Sequence, residues 1–298
     1  MTMLHEPTAR PAGNLRGEAP FQDLHEVVRD RVGDGTFHFY PSPGNWGDSL
    51  INRGSREFFQ HLGLTCTEHE RSDLDTLDPE TTAGTTAVVG GGGGWNRNWI
   101  STVAFTERVA SMYRDVVVLP SSYDLDLLPE TGLENAVLFS RAELSGTEKA
   151  SGSPLRFCHD MAFFCELPEA PDRTLPYPLI ALRRDKERHH LAVDPDRNFD
   201  ISLLGTAHTD AGGFFDIVGR FEELYTDRLH VAIAGAMLGK SVFLLEGNYG
   251  KSEGVFRGSL AAHYPNVQLL DWDEFAPMKV VGMQPIGVPG YQGEASHA

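Results

Sequence analysis

Apolar residues recur at helical spacing in Phe21–Val32 (Phe21, Leu24, Val27, Val28). They do so again beyond residue 48, where Leu50, Ile51, Gly54, Phe58, Phe59 and Leu62 share one face and Arg53, Arg56, Glu57 and Gln60 the other. Between these helices Thr36–Tyr40 reads as a strand and Pro41–Asp48 as a turn. Short apolar runs predict further strands at Thr85–Val89, Asp115–Pro120, Ala136–Ser140 and Leu155–Asp160. The run ending at Val89 passes into five glycines, Gly90–Gly94, after which Trp95–Trp99 is expected to open a helical stretch. Strands alternating with helices imply parallel pairing in an α/β layer fold.

The Pro-rich segment Ala170–Pro178 is the expected domain boundary. Beyond it come a strand at Leu179–Arg184, a helix at Leu229–Leu238, a strand at Ser241–Leu245 and a last strand at Val267–Leu270. The expected organisation is a tail and helix at 1–36, a first domain at 37–172, a second at 173–277, and a loose Gly- and Pro-rich tail at 278–298.

Composition narrows the class. With 298 residues, 41% hydrophobic and 22% charged, the chain is long enough for two modest domains or one large one. No run of about 18 apolar residues predicts a membrane span, and residues 1–20 lack the apolar core of a signal peptide. Cys66, Cys158 and Cys165 form neither a metal-type cluster nor a disulfide framework, which fits a reduced cytoplasm. A formal charge of −17 argues against nucleic acid as partner. It also makes any local gathering of cations more informative. No metal is expected: Asp73, Asp75 and Asp78 lack calcium-loop spacing, and His189–His190 lies in a charged loop.

Candidate chemistry concentrates between residues 226 and 251. Asp227 suits the N-cap of the helix that Gly239 should end, which would put Arg228 and His230 in the first turn. There the unbonded N–H groups and the helix dipole favour an anion. The loop Glu246–Lys251 should lie at the same sheet edge, so that Arg228, His230 and Lys251 converge. Arg183, at a strand end, can fork onto a carboxylate or phosphate. Asn45 and Asp48 fall at the cleft edge in a strand-to-helix turn, where Asp48 could also simply cap the helix. The glycine run permits close approach of a ligand or backbone but fits neither the dinucleotide fingerprint nor a nucleotide P-loop. Cys158-His159-Asp160 are adjacent and do not form a catalytic triad.

Taken in order, Asn45-x-Gly47-Asp48, Val88–Trp95, Arg183, Thr226-Asp227-Arg228-Leu229-His230 and Asn248-Tyr249-Gly250-Lys251 resemble the polysaccharide pyruvyl transferase family. Ser140–Ser145 looks like its Arg-Glu…Ser element with one inserted residue, and Asp160-Met161-Ala162-Phe163 like its Asp-x-Ala-Phe element. Tyr264-Pro265-Asn266-Val267 is similar to bacterial exopolysaccharide members. The resemblance spans roughly residues 37–272, and the segments 226–230 and 248–251 are its most specific part.

The resemblance implies two Rossmann-like halves in a glycosyltransferase-B-like arrangement. It implies transfer of a pyruvyl group from phosphoenolpyruvate, a donor substrate rather than a cofactor, to a sugar or lipid-linked oligosaccharide as a ketal. On this expectation Arg228, Arg183 and Lys251 hold the anionic groups and His230 is the general acid or base. Asp48 is a candidate base on the acceptor side. Thr226, Asn248, Tyr249, Asn45, Gly92, Gly93, Trp95 and Arg141 complete the substrate-binding set. Arg228 follows Arg183 by only 45 positions, fewer than in larger members, so the second domain is expected to be trimmed. That leaves the donor pocket either incomplete or completed by another subunit. Two other readings stay open: a nucleotide-sugar glycosyltransferase on the same fold, and a non-catalytic anion-binding protein of a biosynthetic operon.

Overall fold

The computed structural model describes residues 13–33, 35–97, 99, 101–128, 132–143, 149–150, 152–169, 171, 174–189, 197–247 and 251–275. In the first half, α1 (Ala19–Val32) leads into β1 (Phe37–Tyr40), α2 (Trp46–His61) and the short β2 (Cys66–Glu68). A 3-10 turn at Arg71–Asp75 and α3 (Pro79–Thr82) precede β3 (Thr86–Val89), β4 (Gly92–Trp95), α4 (Ser101–Met112), β5 (Asp115–Tyr123) and β6 (Ala136–Ser140). The antiparallel pair β7 (Lys149–Ala150) and β8 (Ser153–Pro154) is followed by β9 (Arg156–Phe157) and a 3-10 turn at Met161–Phe164. The second half runs β10 (Leu179–Ala181), a 3-10 turn at Ile201–Leu204, α5 (Ala211–Gly219), β11 (Glu223–Thr226), α6 (Leu229–Met237) and β12 (Ser241–Leu245). It ends with α7 (Lys251–Val255), a π-turn at Phe256–Leu260, α8 (Ala261–His263), β13 (Val267–Leu270) and α9 (Trp272–Phe275).

The first sheet is parallel, in the order β2-β1-β3-β5-β6-β9, with β4 added alongside β5. Side-chain alternation splits its apolar residues between two layers. Phe37, Phe39, Val117 and Leu119 join α1 and α2 in one core, whereas Tyr40, Val116 and Val118 join Val109 and Tyr113, in and just beyond α4, in another. The sheet is therefore wound on both faces. Its strand order reverses between β1 and β3, the switch point at which open α/β sheets place ligands beyond the strand ends.

The second sheet, β10-β11-β12-β13, is also parallel. One face (Leu179, Ala181, Leu224, Val242, Leu244) joins α5 and α6 in the same core that holds α1 and α2, so one apolar core runs through both halves. The other face, with Ile180, Tyr225 and Leu270, is covered by Trp272 and Phe275 of α9. The chain is a Rossmann-like α/β protein. No described helix is long and apolar enough to cross a membrane.

Most predicted elements form where the apolar pattern put them, and the differences have physical causes. The glycine run does not stay a loop. Gly92–Trp95 pairs with the end of β5, so Trp95 belongs to a strand and the next helix starts only at Ser101. The edge strand β2 has no apolar alternation and is half exposed, which is why its pattern predicts nothing. α5, with the adjacent glycines Gly212 and Gly213, has weak intrinsic helix propensity and is held by packing against α2 and α6. The expected tail at 278–298 lies outside the described residues.

Candidate functional site

Both sheets direct their carboxyl ends at one cavity of about 890 Å³. From the first sheet it is lined by Asn45 and Asp48 after β1, Gly93 and Trp95 of β4, and Arg141 after β6. From the second it is lined by Arg183 after β10 and by Arg228 and His230 after β11.

The turn after β1 is fixed by the N-terminus of α2. Asn45 is the N-cap: its Oδ1 accepts the Gly47 N–H at 2.8 Å, and Asp48 Oδ2 accepts the Asn45 N–H at 2.9 Å. Such a reciprocal box is worth about 1 kcal/mol. Asp48 thus lines the cavity while sharing in the cap. The turn is also stapled to the second half, since the Trp46 indole N–H donates to the Asp210 carbonyl and the Ala207 N–H to the Gly44 carbonyl.

His230 lies against this helix end. A Cβ on Gly47 would come within 2.7 Å of His230 Nδ1, so only glycine lets the imidazole sit there. On its other side, Nε2 is 3.7 Å from Asp160 Oδ2 and makes no hydrogen bond. Asp160 is fully buried after β9. Its Oδ2 accepts from Arg141 Nη1 at 2.5 Å and its Oδ1 from the Ala162 N–H at 2.9 Å. Burial alone would raise the Asp160 pKa, but Arg141 and His230 hold it far below the usual carboxylate range. Arg141 is itself 0% exposed. Its Nε donates to Ser122 Oγ at 2.8 Å, and its Nη2 is a buried donor without a partner on the cavity wall. A buried unpaired guanidinium N–H is costly and marks a place where a ligand acceptor would be well received.

The second-half wall differs from expectation. Asp227 does not cap α6; its Oδ1 accepts the Arg183 N–H at 2.8 Å, and the N-cap is Arg228, without a side-chain cap. Burial raises the Asp227 pKa from 3.8 to about 6. The Arg228 guanidinium is taken up by carboxylates: Nε and Nη2 reach Asp200 at 2.9 and 2.5 Å, and Nη1 reaches Asp185 at 2.8 Å. Burial would lower its pKa, yet these contacts raise it. Arg183 is paired with Asp185 at 3.2 Å and Glu187 at 2.6 Å. Both arginines, expected as direct anion ligands, line the cavity with their guanidinium groups already paired to carboxylates.

Two other expected contacts stand behind the wall. Thr226 is fully buried; its hydroxyl donates to the Ala181 carbonyl and accepts the Arg228 N–H, which fixes the chain entering α6. Gly92 faces Ile51 rather than the cavity. Asn248 and Tyr249 lie outside the described residues, as does the side chain of Lys251, whose backbone opens α7. Asp160 was legible only as a motif residue. Arg71, which lines the cavity from the 3-10 turn beyond β2, gave no sequence signal because the strand that positions it has no apolar alternation. Among the described residues no group of three or more His, Cys, Asp or Glu is placed to hold a metal.

The chain is similar in fold to a crystal structure of a functionally uncharacterised protein from Klebsiella pneumoniae. The TM-score is 0.70 at 22% identity, covering 85% of this chain and 99% of that one. At that identity the likeness establishes the fold alone. No family model and no curated protein matches the sequence.

Proposed function

We propose that the cavity transfers a pyruvyl group from phosphoenolpyruvate to a sugar, on two Rossmann-like halves in a glycosyltransferase-B-like arrangement. The observation that carries this reading is the approach of both His230 and the buried, partly unpaired Arg141 to the Asp160 carboxylate at the carboxyl ends of the two sheets. The donor offers two anionic groups on three carbons. Arg141 Nη2 and the first-turn N–H groups at the start of α6 would receive them. Arg228 and Arg183 take a supporting part, holding the wall through Asp200, Asp185 and Glu187.

In the reaction C3 of the donor gains a proton while an acceptor hydroxyl oxygen bonds to C2 and loses its own proton. The C2–O bond to phosphate then breaks, and a neighbouring hydroxyl adds to C2 and releases a proton. The products are a pyruvate ketal and inorganic phosphate. His230, steered by the Asp160 carboxylate, is the proton donor for C3; Asp48 is the base for the acceptor.

Calorimetric titration of the full chain with phosphoenolpyruvate tests this, beside a nucleotide-sugar panel. Phosphoenolpyruvate should bind, and Arg141→Lys should weaken it by about tenfold or more, because the fork is lost. Binding of a nucleotide sugar with no response to phosphoenolpyruvate would overturn the proposal in favour of glycosyl transfer.

A further inference from the structure

The cavity has room for more than a three-carbon donor, since about 890 Å³ is enough for a drug-sized ligand. Part of its lining is unused by the donor reading: Arg71, Trp99, Ser101 and Thr102. Arg71 opens the 3-10 turn beyond β2. Its guanidinium lies over the Phe105 ring at 4.6 Å from the centroid, and its Nη1 is 3.4 Å from Thr102 Oγ1. Its Nε is buried without a hydrogen-bond partner, and among the described residues no carboxylate lies within ion-pair distance. The other three arginines on the wall each touch a carboxylate. Burial pulls the Arg71 pKa down only to about 10, so the group stays charged at neutral pH.

A largely buried cation with no counter-charge is unfavourable by itself and becomes favourable once an anion answers it. The surroundings suit a tetrahedral oxyanion. Thr102 Oγ1 stands beside the guanidinium fork, and a Cβ on Gly94 would come within 2.6 Å of that hydroxyl, so the glycine keeps the Thr102 side accessible. Trp99, 49% exposed on the cavity wall one turn before Thr102, carries the Lys186 ammonium over one face of its ring at 3.9 Å from the centroid. Its indole N–H donates to Glu187, so the ring is a fixed flat wall of the kind that lines small-molecule sites.

We infer that Arg71 and Thr102 bind the phosphate of a phosphorylated sugar, with the sugar lying toward Trp99. That this sugar is the acceptor rests on the pyruvyl-transfer reading; the binding site does not. A neutral sugar would leave the guanidinium unanswered.

The test is calorimetry on the full chain with glucose 1-phosphate, glucose 6-phosphate and N-acetylglucosamine 1-phosphate. Each is set beside its parent sugar, with glucuronate and inorganic phosphate as further probes. At least one sugar phosphate should bind about tenfold more tightly than its parent. Arg71→Gln should abolish that preference, and Arg71→Lys should keep part of it. Phosphoenolpyruvate affinity in Arg71→Gln should stay within about twofold of wild type. The inference is overturned if no sugar phosphate outbinds its parent, if glucuronate or inorganic phosphate binds as well, or if the preference survives Arg71→Gln. A parallel loss of phosphoenolpyruvate binding would also overturn it, by assigning Arg71 to the donor. If wild type binds sugar phosphates through Arg71 but not phosphoenolpyruvate, the pyruvyl-transfer reading fails and the Arg71 site stands.

Discussion

Arg183 and Arg228 reach the cavity from the second sheet, Arg71 and Arg141 from the first, and their surroundings differ. On the second-sheet wall two arginines meet three carboxylates, Asp185, Glu187 and Asp200, with Asp227 directly behind. On the first-sheet wall Arg141 shares the single carboxylate of Asp160 with His230, and Arg71 has none. An arginine in a cleft is therefore no measure of positive field by itself. What a ligand meets is set by the donors left without partners, and on this cavity those guanidinium donors, Arg71 Nε and Arg141 Nη2, belong to the first-sheet wall. The paired wall holds shape; the unpaired wall has donors to spare.

The sharpest way to break this contrast is Asp200→Ala. Arg228 would be left buried with only Asp185, at a cost of about 3–5 kcal/mol in urea denaturation. A loss below about 1 kcal/mol would mean that the paired wall is not what holds Arg228. Next in size is His230→Gln, which on the proposed function lowers kcat by about 10²-fold or more while stability stays within about 1 kcal/mol. Wild-type turnover in a folded variant would remove His230 from the chemistry.

Asp227 gives a pH signature of the second-sheet wall. Its folded pKa of about 6 lies above the ordinary 3.8, so the folded chain holds the proton more tightly than the unfolded chain. Its contribution is present at low pH and is lost as pH rises from about 4 to about 6, by at most about 3 kcal/mol. Asp227→Asn should flatten that part of the stability profile and raise the denaturation midpoint at pH 7 relative to wild type. An unchanged slope would show that the carboxyl is ionised throughout. The smallest stability effect belongs to Arg71→Gln, which removes an unpaired cation and should shift stability by less than about 1 kcal/mol. A large loss there would make Arg71 a structural residue and erase the contrast between the walls.

Much of the frame was legible along the chain. The apolar runs Thr86–Val89 and Ala136–Ser140 are strands because a strand buried on both faces needs near-continuous apolar residues, and the shorter runs within Ser241–Leu245 and Val267–Leu270 mark strands that keep one exposed position each. The segment holding Arg228 and His230 could be placed at a sheet edge because Gly239, with φ of 73°, ends the helix that follows. β11 was not predicted, although Thr226 closes it and its pairing with β10 and β12 aims Arg228 and His230 at the cavity.

By itself the sequence determined an alternating α/β chain, the strands of its core, and the residue types gathered near 183, 228 and 230. Those are properties of local pattern, set by side-chain periodicity and turn chemistry. Only the tertiary structure decided which charges remain open. Arg228 meets Asp200 and Asp185, and Asp160 meets both Arg141 and His230, across separations that no local pattern encodes. Ion pairing depends on distance and burial after folding. The cation richest in sequence context is thereby neutralised, while Arg71, just beyond a strand with no apolar pattern, has no carboxylate partner among the described residues.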